Sequence, residues 1–215
     1  MSHGVHAVQH EVEHKIKHEE EHGHGGHDDD SQSRNKRVAL LIAVIALFLA
    51  FSETLGKSAQ TNALNHQIEA SNLWNFFQAK NIRRTSTIIA SEQMKIDALA
   101  AAEGPQKAAM AKQIDDWNKT AARYRSEPEA GGGKGEGTAE LSRRAIEEQK
   151  LRDDALAKYH HYEVASAAFQ IGIVLASATV ITGMVALSYL AGLLGLMGLG
   201  FMAIGIFAPH AVHLF

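Results

Sequence analysis

Histidines recur at helical spacing near the start of the chain. The stretch "HGVHAVQHEVEHKIKHEEEH" spaces them three and then four residues apart, at His3, His6, His10, His14, His18 and His22. A helix repeats every 3.6 residues, so these rings would lie along one face. Imidazoles one turn apart can hold a divalent ion such as zinc or nickel, and they titrate at about pH 6.5. The stripe is therefore a candidate metal site. The alternative, which such a composition favours, is a helix or disordered tail without functional metal.

The rest of the chain offers little chemistry. The sequence has no cysteine, which excludes disulfides, thiolate metal sites and cysteine nucleophiles. It contains no G-x-S-x-G and no H-E-x-x-H, and "GGGKG" lacks the Ser or Thr that a phosphate-binding loop requires after its lysine. The net charge is −3, without the basic footprint that nucleic acid requires. We expect that the protein is neither an enzyme nor a nucleic-acid-binding protein. The sequence indicates no cofactor beyond the candidate divalent metal at the histidine stripe.

The first apolar run indicates a membrane anchor. Val38–Phe51 would form about 21 Å of helix, which is shorter than a hydrocarbon core of about 30 Å. Extension to residues 36–56 gives a first transmembrane helix if the basic residues before Val38 reach outward. A cleaved signal peptide is the alternative, but the long acidic head, residues 1–35, and the lack of an A-x-A-like site favour an anchor.

A second apolar region, Val164–Ala208, contains no Asp, Glu, Lys or Arg. It fits two further transmembrane helices, residues 164–188 and 191–209, with a turn near Ser188–Gly192 and a short tail at 210–215. Small residues recur every three or four positions in both helices and predict close helix packing: Ala168, Gly172, Ala176, Gly183, Gly195 and Gly198.

Basic residues are concentrated before the first predicted span. Arg34, Lys36 and Arg37 precede it, whereas only Lys57 follows it closely. The positive-inside rule therefore predicts a cytoplasmic N-terminus and a periplasmic domain between the first and second spans. Glu53 would lie at the far membrane edge, where a carboxylate is a candidate functional group.

Residues 57–163 predict a helical soluble domain. The first helix would run from Ser58 to Ala102 with isoleucines and amides in a seven-residue register: Asn65, Ile68, Asn72, Asn75, Ile82, Ile89 and Ile96. Such a seam is typical of a coiled coil whose polar layers fix the oligomeric state. The alternative is that these amides coat a solvated helix. Helices over Gln106–Arg125 and Ala139–Tyr162, with a flexible Gly-rich loop at 128–138, would complete a hairpin or bundle.

The segment "ASNLWNFFQAKNIR", Ala70–Arg83, is similar to a segment of a known protein family. Together with the three spans and the His- and Glu-rich head, it resembles a family of uncharacterised bacterial membrane proteins known only as a domain of unknown function. The resemblance implies a multi-pass protein of the bacterial inner membrane. It brings no catalytic residue, cofactor or substrate.

We therefore predict an all-α membrane protein with three transmembrane helices and a long coiled-coil-like helical hairpin or bundle between the first and second. The expected partners are the lipid bilayer and further copies of the chain. The predicted function is that of a homo-oligomeric structural or scaffolding protein. The alternative is a channel- or transporter-like oligomer whose His-rich head responds to metal or pH.

Overall fold

The computed structural model of the chain describes residues 28–212, so the six histidines of the predicted metal stripe lie outside the described residues. The described part consists of four helices: α1 Asp28–Ala100, α2 Pro105–Arg125, α3 Thr138–Thr182 and α4 Val185–Phe207. No strand occurs between residues 28 and 212, and the prediction of an all-α protein is confirmed there.

Three of the helices are long and apolar enough to cross a membrane. These are α1, α3 and α4, judged by their length and composition. α1 continues from its apolar run into the polar sequence that follows, and α3 runs from polar into apolar sequence. α2 begins at Pro105, which suits a first helical turn because its missing N–H would have no partner there.

The turn between α3 and α4 lies earlier than the sequence predicts. α3 ends at Thr182 and α4 begins at Val185. The boundary between the predicted spans 164–188 and 191–209 is therefore wrong by about six residues, because the helix break lies at residues 183–184. Gly183 has φ 70°, a left-handed conformation that glycine adopts without steric cost, and its amide donates to the Thr179 carbonyl at 2.9 Å. Nothing lies within 4 Å of a Cβ built at Gly183, so this residue ends a helix and does not pack against a neighbour.

The described residues form two compact units. The first comprises residues 28–50 and 167–198, and the second comprises residues 51–166 and 199–212. In the first unit Val38, Ala176 and Ala191 form a buried apolar cluster that joins α1, α3 and α4. Burial of this apolar surface is the main force that holds such a cluster together in water, and close packing takes over in lipid.

The core of the second unit lies between α1 and α3. Leu73 packs with Leu141 and Ala145, both fully buried, and Trp74 and Phe77 cover the cluster from α1. Trp74 and Phe77 meet edge to face, with ring centroids 5.3 Å apart. The small Ala145 is fully buried in this contact, which covers the Leu73 side of α1.

Candidate functional site

The predicted seam residues of α1 share one exposed face. We call this set the isoleucine face, and all its members are exposed: Asn65, Ile68, Asn72, Asn75, Ile82, Ile89 and Ile96. The isoleucines are the notable members, because Ile82 is 66% and Ile96 61% exposed. Large apolar side chains repeated at seven-residue spacing on a solvated helix are typical of a surface that meets another helix.

The opposite face of α1 is the covered one. Ala59, Ala63, Ala70 and Leu73 are buried there. A helix turns about 100° per residue, so positions such as Leu73 lie on the side of α1 opposite to Ile82. Helices within the second unit therefore cover the alanine side of α1 and leave the isoleucine face uncovered in the described part of the chain.

Polar bonds fix the rotation of α1 in the second unit. The Nδ1 atom of His66 lies 2.7 Å from the Oε2 atom of Glu148 on α3. The hydroxyl of Ser91 donates to the Asn118 side-chain oxygen on α2 at 3.1 Å. Directional bonds of this kind add to apolar burial and specify the angle at which helices meet. Together they hold the isoleucine face turned away from α2 and α3.

Lys80 is a buried cation on the covered side of α1. Its ammonium lies 3.4 Å from a Glu127 oxygen and 3.5 Å from a Glu136 oxygen, and 5.2 Å from the centre of the Phe76 ring. A buried ammonium needs such partners because its charge is costly to remove from water. Both carboxylates belong to the segment between α2 and α3, so Lys80 anchors that segment to α1.

The glycine-rich segment has a defined path. Gly131, Gly132, Gly133 and Gly135 all have positive φ, between 61° and 81°, which residues with a side chain rarely adopt. The Gly135 amide donates to the Ala130 carbonyl at 3.0 Å and closes the turn. The composition predicts flexibility here, and no sequence signal indicates these contacts.

Glu140 joins the two ends of this segment. Its carboxylate accepts a hydrogen bond from the Ser126 hydroxyl at 2.6 Å and one from the Glu127 amide at 3.2 Å. The Ser126 hydroxyl lowers the pKa of Glu140 below its ordinary value, and the Glu127 amide contributes in the same direction, because both bonds favour the ionised carboxylate. The ionised form therefore stabilises the connection between α2 and α3.

The small residues of the predicted membrane helices lie in close contacts within the first unit. Ala168 and Ala176 are buried. A Cβ added at Gly172 would lie 3.3 Å from the Ala191 carbonyl oxygen, one at Gly195 would lie 3.5 Å from Ile45, and one at Gly198 would lie 2.7 Å from Phe169. The absence of a side chain at these glycines is what allows the neighbouring atoms to come so near.

The remaining predicted site residues are the membrane-edge carboxylate and the metal ligands. The carboxylate, Glu53, is exposed on α1. No group of three or more His, Asp or Glu side chains able to hold a metal occurs among the residues that the structure describes, a region that excludes the histidine-rich head. The candidate site in this part of the chain is the isoleucine face.

Comparison with known proteins gives a family match over most of the chain. A family model described as a domain of unknown function (DUF4337) matches residues 34–208, which include the four helices from residue 34 onward. Neither a curated protein nor a solved structure matches the chain. The matched range begins near the end of the predicted acidic head and covers the isoleucine face, most of α1, and all of α3 and α4.

Proposed function

This chain belongs to the family described as a domain of unknown function (DUF4337), and we propose that it is a homo-oligomeric structural or scaffolding protein of the bacterial inner membrane. The observation that carries the proposal is the uncovered isoleucine face of α1. Ile68, Ile82, Ile89 and Ile96 are between 51% and 66% exposed although α1 has helical neighbours on its other side.

The membrane explains how copies of α1 would meet. Each copy would insert its apolar run in the same orientation, so the α1 helices of neighbouring copies would lie parallel, with equal residues facing each other. Ile82 would then face Ile82 and Asn75 would face Asn75. The isoleucine layers supply apolar burial, and the asparagine layers favour one register because a displaced amide would lie against an isoleucine. The N-terminus would be cytoplasmic and the domain between the first two spans periplasmic.

Single cysteines test this arrangement directly, because the natural chain has none. Ile82→Cys places a thiol in the isoleucine face, and Asn81→Cys places one on an exposed neighbouring residue about 100° around the helix. We expect mild oxidation of native membranes to give a dimeric product with Ile82→Cys and little with Asn81→Cys. Thiols of parallel seams lie close enough for a disulfide, whereas those on another face do not.

A second measurement separates stable association from chance collision. Mass measurement of the detergent-solubilised chain should give a multiple of the monomer mass. Ile82→Asp should reduce it to the monomer, because facing carboxylates replace an apolar layer, while Asn81→Asp should leave it unchanged. A monomer with the natural isoleucine face, or equal cross-linking at positions 81 and 82, would contradict the proposal.

A further inference from the structure

A cleft in the first unit lies where two apolar helices begin. Its volume is about 500 Å³, and it is lined by α1 residues just before and at the start of the apolar run and by first-turn residues of α4. Val38 is the first residue of that run, and it belongs to the buried cluster that joins the helices at this level. If the helices span a membrane, the cleft lies at the boundary between lipid headgroups and acyl chains.

The polar side of the cleft is cationic. Arg34 and Arg37 both line it, and they lie one turn apart on α1 with exposed side chains. No carboxylate lines the cleft among the residues whose side chains the structure describes. Side chains one turn apart on a helix are neighbours, and guanidinium groups bind phosphate oxygens through paired hydrogen bonds.

The α4 side of the cleft adds further groups that suit a phosphate. Val185 and Ser188 belong to the first turn of α4, a 23-residue helix whose N-terminal end carries partial positive charge. The Ser188 hydroxyl donates to the Val185 carbonyl at 2.7 Å, and rotation of this hydroxyl would let it donate to a phosphate oxygen instead. Tyr189 is 77% exposed at the edge of the cleft, as aromatic residues at membrane interfaces often are.

The cleft also has an apolar lining, which we call its floor: Val38, Leu41 and Val185. Val38 and Leu41 follow Arg37 along α1, in the direction of the apolar run. A free phosphate ion would bind the arginines and leave the apolar floor exposed to water. A phospholipid would place its phosphate at the arginines and its glycerol and first acyl carbons against the floor. The cleft therefore combines the two surfaces that a lipid molecule presents at this depth.

We propose that Arg34, Arg37 and the first turn of α4 form a binding site for the headgroup phosphate of an anionic phospholipid. The site lies in the first unit and does not depend on the isoleucine face, so it stands apart from the proposed oligomerisation. It rests only on the membrane-spanning character of the helices. Its role would be to fix the depth and rotation of α1 and α4 at one membrane surface.

The test is native mass spectrometry of the full chain titrated with phosphatidylglycerol or with phosphatidylcholine. We expect preferential binding of phosphatidylglycerol, and a loss of about tenfold in its affinity in Arg37→Gln, the size expected for a lost charge-assisted hydrogen bond. Lys36→Gln is the matched control, since Lys36 carries the same charge on the same turn but does not line the cleft. It should change affinity less than about twofold, since it removes only surface charge.

Three further comparisons separate a lipid site from surface charge, from a soluble ligand and from misfolding. Equal losses in Arg37→Gln and Lys36→Gln would reduce the effect to surface charge and overturn the site. Displacement of the lipid by glycerol 3-phosphate at similar concentration would show that the ligand is a soluble phosphate, and would overturn the lipid assignment. Arg37→Lys keeps the charge and is a control for misfolding. An affinity for phosphatidylglycerol between that of the natural chain and that of Arg37→Gln supports paired hydrogen bonding by the guanidinium. An affinity equal to that of Arg37→Gln contradicts it.

Discussion

The Nδ1 atom of His66 lies 2.7 Å from the Oε2 atom of Glu148, although 82 residues separate them in the chain. This bond joins α1 to α3 beside the buried contact of Leu73 with Leu141. Both side chains are partly buried, so water competes for the bond less than it does on an open surface. The pair therefore helps to fix which face of α1 is covered.

Removal of this bond should weaken the second unit. We expect Glu148→Ala to lower the free energy of unfolding by about 1–2 kcal/mol, since it leaves His66 without its partner. Glu147→Ala removes an exposed neighbouring carboxylate and should change stability by less than about 0.5 kcal/mol. Denaturant unfolding of the natural chain and the variants measures both. The single variant His66→Ala and the double variant His66→Ala, Glu148→Ala complete the comparison. If the double variant lowers the free energy of unfolding by the sum of the losses in His66→Ala and Glu148→Ala, the two residues do not interact.

Glu140 should control the order of the glycine-rich segment. Glu140→Gln removes the negative charge, so the bonds to the Ser126 hydroxyl and the Glu127 amide are no longer charge-assisted and become weaker. We expect cleavage by trypsin after Lys134, which is exposed in this segment, to become several-fold faster in line with about 1 kcal/mol of lost local stability. Glu129→Gln alters an exposed carboxylate of the same segment and should leave the rate unchanged. Equal rates in the two variants would contradict the role of Glu140.

The same carboxylate should make this segment sensitive to acid. The pKa of Glu140 is lower in the folded chain than its ordinary value, because the Ser126 hydroxyl and the Glu127 amide bind the ionised form. A lowered folded-state pKa means that the stabilisation is present above the ordinary carboxyl pKa and is lost as pH falls through the lowered one. Hydrogen exchange at the Gly135 amide, corrected for its intrinsic pH dependence, should show protection decreasing in that acid range. The decrease should be absent in Glu140→Gln.

Gly198 should not tolerate a side chain. A Cβ added there would lie 2.7 Å from the ring of Phe169, which is fully buried, so one of the two must move. We expect Gly198→Ala to destabilise the detergent-solubilised chain by about 1–2 kcal/mol through overpacking. Gly192→Ala is the control in the same helix, because nothing lies within 4 Å of its added Cβ. Thermal unfolding compares the two, and a Gly198→Ala variant as stable as Gly192→Ala would contradict the close contact.

Glu53 distinguishes scaffolding from the alternative of a channel- or transporter-like oligomer. It is exposed on α1, a helix long and apolar enough to span a membrane. For a scaffold we expect liposomes with the natural chain and with Glu53→Gln to show the same cation leak as empty liposomes, under both cation and pH gradients. A cation flux that Glu53→Gln changes would reject the purely structural function and favour the channel, in which this carboxylate attracts cations.

Some features of this fold could be predicted from the sequence because local patterns determine them. A run without charged residues such as Val164–Ala208 indicates helices that can span a membrane, and Pro105 indicates a helix start. The turn inside the apolar run could not be located, since hydropathy is uniform there and several glycines could end a helix. Gly183 is the one with φ 70° at the end of α3.

The sequence by itself determined the helical content, the three apolar helices and the isoleucine register of α1, since each depends on residues that are neighbours in the chain. Only the tertiary structure decided that the alanine side of α1, with Ala70 and Leu73, is covered and that Ile82 and Ile89 are exposed. It also decided the partners of His66, Lys80 and Glu140. These depend on how distant helices pack, and packing brings together residues whose spacing along the chain carries no periodic signal.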